Sequence, residues 1–578
     1  MPTQATSDQM FDRISEYLSG RYPGKLLNLQ LVHGNALLKE EYEKIQLAGI
    51  ADDESDITSG VNALSWFTPR KLALLAPFGV GTVDQTFMRV LQARNFALRL
   101  FGLARKVIIF DEVHAYDVYM VEIFKRLLPW LRAIGSSVIL LSATLPQETR
   151  KDLLTAFNPE THIESIHAPF PRLSMNSDGA ITTESLGMVK DRKVQLEFID
   201  QQPESILSAL ERKLDEGGCA GVICNTVKRA QEVYSMVKDS GQFHPEDILL
   251  FHAHFPFCWR EDRQKEVLST FGRLNKPASA IRRKVVIATQ VIEQSLDLDF
   301  DLLISDLAPL DLLIQRIGRL QRHSAMRFPP LRPSKLSEPF CFVALPEPVK
   351  QGLPQFSKAD NLIYDEVFLQ RSYFLLRQRS FLSLPGDSDE LIEGVYSNDD
   401  LPDLLPDQND AIHALYQKMK HKASDEAGKA ENHLIADVDF GDLFGNEFDD
   451  VAEENPTVHQ DLQALTRDVQ PTVKVVCLEQ EGDGHLYTLD GHYPVDLSSV
   501  PDNKLTKSML RSVVSINNRK AVNLLQDKPL QAAWKRSAAL RYLHPLILTS
   551  GHGKIGDEIS CTLDPEFGLR IEEQSNEK

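Results

Sequence analysis

Lys106-Val107-Ile108-Ile109-Phe110-Asp111-Glu112-Val113-His114 decides the fold class: it is a short, unbroken apolar run that ends in two adjacent acids. An apolar run of this length without alternation reads as a parallel strand buried on both faces. Carboxylates at the C-terminal end of such a strand suit a hydrolase acting on a magnesium nucleotide. Asp111 would hold the metal, usually through water, and Glu112 would orient and deprotonate the water that attacks the γ-phosphate. Four letters carry little weight alone, because an acidic strand-to-loop corner is common. The decision comes from the segments that follow.

Ser136-Ser137 leads into Val138-Ile139-Leu140-Leu141, a second strand-like run ending in Ser142-Ala143-Thr144, whose hydroxyls can bond the acidic corner and report its state. A third run, Lys284-Val285-Val286-Ile287-Ala288, opens into Thr289-Gln290-Val291-Ile292-Glu293-Gln294-Ser295-Leu296-Asp297. Then comes Gln315-Arg316-Ile317-Gly318-Arg319-Leu320-Gln321-Arg322. On a helix, Arg319 and Arg322 would share one face and reach the same phosphates; an arginine pair alone is also a common solvated face. This order of elements resembles a superfamily 2 helicase of the DEAH-like type.

Further segments sharpen the resemblance: Pro2-Thr3-Gln4-Ala5-Thr6, Gly81-Thr82-Val83-Asp84-Gln85, Ala115-Tyr116-Asp117, Asn225-Thr226-Val227 and Asp306-Leu307-Ala308-Pro309. Together they look like the helicase-nuclease of type I CRISPR interference, an antiviral defence enzyme. The RNA-guided surveillance complex Cascade recruits that family to unwind, reel in and degrade the displaced DNA strand. The match is specific from residue 1 to about 345; beyond it rests on weaker echoes such as Thr466-Arg467.

The resemblance implies an α/β protein of two RecA-like parallel-sheet lobes plus a C-terminal accessory domain, with ATP between the lobes and single-stranded DNA across their top. It implies Asp111 for Mg2+, Glu112 as catalytic base, Ser142 and Thr144 for coupling, and Asp297 for nucleotide contact. Arg319 and Arg322 would meet the γ-phosphate, and Gln315 would orient the attacking water. Thr6, Gly81, Thr82, Thr226, Thr289 and Gln290 become candidates for a DNA track, positioning a strand through its phosphates without reading sequence. Each threonine taken alone is as readily a cap or a turn. His254, in Phe251-His252-Ala253-His254-Phe255, stands where the family more often carries arginine, which implies a weakened phosphate contact.

A helicase also needs a Gly-rich loop whose amides wrap the phosphates, with a lysine and a Ser/Thr behind it. The pairs Gly24-Lys25, Gly428-Lys429 and Gly553-Lys554 lack both the upstream glycine and the following hydroxyl. By resemblance that loop should lie just before Pro2, so the expectation is an incomplete first lobe with Met1 inside the motor domain. The family's nuclease domain uses His-Asp metal ligands, and none of the 16 histidines here is followed by Asp. The chain is thus expected to be the helicase portion, inactive alone, with a complementing polypeptide supplying the phosphate loop and nuclease. A general superfamily 2 DNA or RNA helicase and a non-catalytic fragment of a split enzyme are the alternatives.

With 578 residues, 42% of them hydrophobic, the chain can bury two or three cores. We expect the first lobe over 1–175, the second over 190–345, a helical linker with acidic loops over 346–456 and an accessory domain over 457–578. A helix packed on the motor is expected within 362–384. The net charge of −19 argues against indiscriminate nucleic-acid binding, though not against a local basic channel. Candidates for that channel are Arg89, Arg94, Arg99, Arg105 and Lys106, and Arg282, Arg283 and Lys284, although most such charges face solvent. The acidic stretches 387–410 and 437–454 read as solvated linkers or as a docking surface for a basic protein. Six cysteines without paired metal-ligand spacing read as reduced structural thiols. There is no apolar run of membrane-spanning length and no signal peptide, so the cytoplasm is the expected location and no membrane partner is expected.

Overall fold

The structure is a computed structural model that describes residues 4–32, 60–62, 75–91 except 89, 100–272 except 117 and 178, 283–323 except 294 and 295, 332–349 except 347, 352–438 except 433 and 436, and 472–573 except 538. Outside the described residues lie Pro2-Thr3, Arg89, Arg94, Arg99, Asp117, Arg282, Gln294-Ser295, Thr466-Arg467 and nearly all of the second acidic stretch. The chain divides into two compact units, residues 1–188 with 420–469, and residues 189–419 with 470–578.

In the first unit the decisive stretch forms the strand Val107–Phe110, parallel to Ser137–Leu140. The helix Val118–Ala133 between them buries Met120, Ile123, Phe124, Leu127 and Leu131, the spacing of one apolar helix face. Phe124 packs against Phe110 with the rings tilted, 4.6 Å between centroids. Among the described residues this sheet has two strands, and it is covered on one face only. Val107 is 65% exposed, Ile109 53% and Ile139 43% on the other. The sequence expectation of burial on both faces therefore holds for one face. A strand with one covered face and one paired edge opens easily. In hydrogen exchange of the purified chain, amides of Val107–Phe110 are expected to exchange at least about tenfold faster than those of Arg283–Ala288 in the second unit. Equal protection would refute this.

The same unit holds a second parallel group, in which Leu26–Val32 lies between Gly60–Asn62 and Phe78–Gly81. Phe11 and Leu18 of the helix Gln4–Arg21 pack on Leu29 and Leu31 of the central strand. The chain returns to this unit late: Ile435 donates its amide to the Val90 carbonyl at 2.8 Å, and Arg126 pairs with Glu431 and Asp437.

The second unit is built on a seven-stranded sheet in the order 248–251, 283–288, 218–223, 302–306, 340–345, 192–200, 381–384. All neighbours are parallel except the last pair. The central strands carry the apolar runs of the sequence and are buried on both faces, except for the half-buried Arg283 and Lys284 that open one of them. At Gly221 a β-carbon would stand 2.8 Å from the Phe300 ring, so the ring lies directly on the backbone there. The edge strand Phe381–Leu384 comes from beyond residue 345, following the helices Asp360–Ile363 and Glu366–Arg377. The region expected to be one linker is divided, residues up to 419 belonging to this unit and the next ones to the other.

The C-terminal part adds an eight-stranded sheet whose Val473–Gln480 strand pairs with Val513–Ile516, Leu486–Thr488 and His544–Thr549. The turn 564–568 helps to fasten it to the seven-stranded sheet's layer, alongside the Arg511–Glu261 ion pair at 3.1 Å. Glu566 accepts from Lys238 Nζ at 2.6 Å and from Tyr234, Arg263 donates to the Pro565 carbonyl at 2.6 Å, and Leu569 donates to the His254 carbonyl at 2.8 Å. Gly568 has φ +69°, and a β-carbon on it would stand 2.9 Å from that carbonyl.

No described helix is long and apolar enough to cross a membrane. All six cysteines are free and buried. None of the Gly-Lys pairs sits at a helix start after a strand: Gly24 precedes a strand, Gly428 lies inside a helix and Gly553 inside a strand.

Candidate nucleotide and DNA site

The acidic corner lies at the C-terminal end of Val107–Phe110, where Leu141 donates to the Phe110 carbonyl at 2.8 Å and Val113 to the Leu141 carbonyl at 3.2 Å. These bonds hold the two strand ends at one height. Asp111 Oδ1 accepts the amide of Glu112 at 3.1 Å. Glu112 itself has φ +55° and ψ +47°, the left-handed region that a side chain with a β-carbon occupies at a cost of about 1–3 kcal/mol. That turn carries its carboxylate back to His114, whose Nε2 is 3.5 Å from Glu112 Oε2. His114 Nδ1 in turn lies 3.2 Å from Ser142 Oγ. Ser142, His114 and Glu112 therefore form one chain from the second strand end to the first. His114 has no role in the sequence reading, although it stands inside the quoted motif. Thr144 is buried, 2% exposed.

As a magnesium ligand Asp111 fits the ion's habits. One oxygen is oriented by a backbone amide, and among the described residues no cluster of three metal-ligating side chains forms, which suits a metal held through water and phosphate oxygens.

In the second unit the motif 289–297 and the motif 315–322 meet through Arg316, which is completely buried. Its Nε donates to Glu293 Oε1 at 2.7 Å, its Nη1 to Ser305 Oγ at 2.8 Å and to the Asp306 carbonyl at 3.0 Å. Its Nη2 reaches Asn225 Oδ1 at 3.3 Å and the Tyr364 hydroxyl at 3.0 Å. Burial pushes the Tyr364 phenol up to about 12, so it stays protonated while Arg316 stays charged beside the Glu293 carboxylate. Gln290 Nε2 donates to the Asn225 carbonyl at 2.8 Å and to the same Tyr364 hydroxyl at 3.3 Å. Asp306 is paired to Arg229 at 2.7 Å; burial raises its pKa against the pull of that guanidinium.

The helical reading of the arginine pair needs correction. The helix Leu310–Ile317 stops at Gly318, and Arg319 and Arg322 lie beyond it. The chain leaves the helix because its backbone pairs with Phe300 instead. The Phe300 amide donates to the Arg319 carbonyl at 2.9 Å, and the Gln321 amide to the Phe300 carbonyl at 2.7 Å. Arg319 Nη2 reaches the Glu293 carbonyl, and Arg322 Nε lies 3.5 Å from Asp297 Oδ1. His323 Nε2 is 2.7 Å from that same oxygen. Both arginines thus converge on the 289–297 motif, though not by helical periodicity. Gln315 keeps its place on the helix, half-buried.

The proposed DNA-track residues divide in the same way between the units. Thr6 lies on the first helix. Gly81 ends a strand so close to its neighbour that a β-carbon would stand 2.5 Å from the Val32 carbonyl. Thr82, 7% exposed, accepts the Gln85 amide on its carbonyl. Thr226 caps the helix Val227–Asp239, its Oγ1 accepting from the Arg229 amide at 3.2 Å. Thr289 is buried and starts a 3-10 turn. His254 is applied to the C-terminal strand through its carbonyl, and burial lowers its pKa. It is a packing residue, a different environment from the phosphate contact suggested by its motif position.

Two family models match the chain: the C-terminal part of the CRISPR-associated nuclease/helicase Cas3 over residues 216–325, and the Cas3 C-terminal domain over 467–569. The chain is 32% identical to the CRISPR-associated endonuclease/helicase Cas3 of Thermus thermophilus over 98% of its own length and 65% of that protein. It is 31% identical to Cas3 of Streptococcus thermophilus over 99% of itself and 62% of that protein. The chain therefore spans somewhat under two thirds of the relatives it matches. Among solved structures, a crystal structure titled as a CRISPR-associated protein has a TM-score of 0.82 at 35% identity, covering 99% of this chain and 63% of that one. T. fusca Cas3 with AMPPNP also has a TM-score of 0.82, at 28% identity, covering 98% and 64%. A chain in a pre-nicking CRISPR RNA-guided surveillance complex follows at 0.68 and 25% identity, covering 98% and 67%.

Proposed function

The chain belongs to the Cas3 family of CRISPR-associated nuclease/helicases, and from that membership we propose that it is the motor portion of such an enzyme, moving along and unwinding DNA at targets bound by Cascade with energy from ATP. The observation that carries the reading is the Ser142–His114–Glu112 chain, which joins a hydroxyl motif to the acidic corner at adjacent parallel-strand ends. Asp111 binds Mg2+ with the nucleotide, and Glu112 takes the proton of the attacking water, which Gln315 orients. His114 holds the Glu112 carboxylate, and Ser142 sets the orientation of the His114 ring. Thr144 acts beside Ser142 in coupling. Asp297 contacts the nucleotide once it exchanges its present arginine and histidine partners, and Arg319 and Arg322 meet the γ-phosphate. Thr6, Gly81, Thr82, Thr226, Thr289 and Gln290 track single-stranded DNA through its phosphates. The protein acts in the cytoplasm.

No Gly-Lys pair of these 578 residues has the sequence surroundings of a phosphate loop, so we propose that they hydrolyse ATP only together with such a loop supplied from outside them, on the same polypeptide or on another. The isolated chain is expected to show little DNA-stimulated ATP hydrolysis, and a fragment bearing the loop to restore it. In the restored enzyme Glu112→Gln is expected to abolish turnover. Robust turnover by these residues alone would refute the requirement for an added phosphate loop. Restored turnover that survives Glu112→Gln would refute the assignment of the base.

A further inference from the structure

The turn that carries Arg319 leaves a helix end, where carbonyls lose their partners in the helix ladder. Three of the carbonyls around it converge on one side chain. Arg192 Nη1 donates to the carbonyls of Leu320 at 2.5 Å and Gln321 at 3.4 Å, and its Nη2 donates to that of Ile317 at 3.3 Å. Among the described residues Arg192 forms no ion pair within 4.0 Å; its guanidinium meets oxygen dipoles at the negative end of the helix Leu310–Ile317, while the charges of Arg332 and Asp299 act on it from farther away with opposite signs. A planar guanidinium suits this work, because its donors form a fixed fork that an ammonium group does not reproduce.

Arg192 also stands at a special place in the chain. The chain first passes from the first unit to the second between Met188 and Val189, and Arg192 opens the first regular strand after this crossing, Arg192–Asp200. Its neighbour Asp191 accepts the Gly386 amide at 2.9 Å, which anchors the strand start from the other side. The start of this strand is thus fastened to the turn bearing the arginine motif.

We infer that Arg192 is a positioning residue, which holds the Ile317–Gln321 turn in the conformation presenting Arg319 and ties that turn to the start of the strand Arg192–Asp200. The clamp stands on geometry alone; its consequence for turnover rests on the proposed role of Arg319. Nothing in the local sequence around either element announces the contact, since the partners are about 125 residues apart.

The test uses the full chain with Arg192→Met, which keeps the length and removes the donors, and Arg192→Lys, which keeps charge without the fork. The amides of Gly318, Arg319, Leu320 and Gln321 are bonded to Ile314, Arg316, Ile317 and Phe300 carbonyls, so their hydrogen exchange reports the turn directly. In Arg192→Met they are expected to exchange about tenfold faster, the equivalent of one lost net hydrogen bond, while Leu302–Asp306 keeps its protection. Arg192→Lys should lie between. Unchanged exchange in both variants, or an equal loss across the whole sheet, would overturn the inference. In the complemented enzyme kcat should fall roughly 100-fold in Arg192→Met, with KM for ATP and affinity for single-stranded DNA near the parent values. A loosened turn with unchanged kcat would overturn the positioning role. Full turnover in Arg319→Ala would overturn the proposed function instead, and the exchange result would still decide the clamp.

Discussion

Replacing Arg319 with alanine lowers ATP turnover of the complemented enzyme by about three orders of magnitude and leaves single-stranded DNA affinity nearly unchanged. The size follows from what an arginine does at a transferring phosphoryl group. It meets charge that develops in the transition state, in a site where water is scarce. The selectivity follows from the structure. The turn is held by main-chain bonds, Phe300 to the Arg319 carbonyl and Gln321 to the Phe300 carbonyl, and these survive truncation of the side chain. One bond of the side chain goes to the Glu293 carbonyl, a neutral acceptor that water can satisfy. Single-turnover hydrolysis with labelled ATP, alongside fluorescence anisotropy of a DNA oligonucleotide, separates the two effects. A parallel loss of both would indicate collapse of the turn and refute the assigned role.

Arg316→Met gives the largest loss of stability expected of any single change in the second unit, about 3–5 kcal/mol. The side chain is completely buried, and Glu293 beside it is 5% exposed. Removing the guanidinium strands that carboxylate without a counter-charge, and it also removes a donor from Ser305, the Asp306 carbonyl, Asn225 and Tyr364. The cost is therefore mostly that of an uncompensated buried acid rather than the net worth of one ion pair. Urea unfolding followed by a probe in the second unit measures it. A second change, Glu293→Gln in the same chain, should recover part of the loss by removing the stranded charge. A loss below about 1 kcal/mol would mean that the network is replaced by water at little cost.

Much of the second unit is legible in the sequence because buried parallel strands are unbroken apolar runs. The stretches 218–223, 283–288 and 302–306 could be read as strands without knowing their neighbours. Motif ends follow from such runs, 107–110 and 137–140 in the first unit and 283–288 in the second, which is why Asp111, Glu112, Ser142 and the 289–297 segment could be placed at strand tips. What stays hidden is everything fixed by distant partners. Tyr364, which joins Gln290 to Arg316, comes 48 residues after Arg316 in a segment without a motif. The strand Phe381–Leu384 looks like part of a helical stretch, and only an open sheet edge turns it into a strand. The arginine segment has a helical pattern through Ile317, but a carbonyl and an amide of Phe300 compete successfully for the following backbone. Local propensity decides where tertiary partners are absent, and here they are present.

The left-handed backbone at Glu112 sets stability and activity against each other at a single position. Glycine adopts that conformation without steric penalty, and asparagine tolerates it better than glutamate does. A library screened for heat resistance alone would thus be drawn toward glycine at 112, enriching proteins that fold more firmly and have lost the carboxylate His114 holds. Engineering this motor for durability accordingly requires that residue 112 be fixed from the outset and that stability be sought elsewhere in the chain.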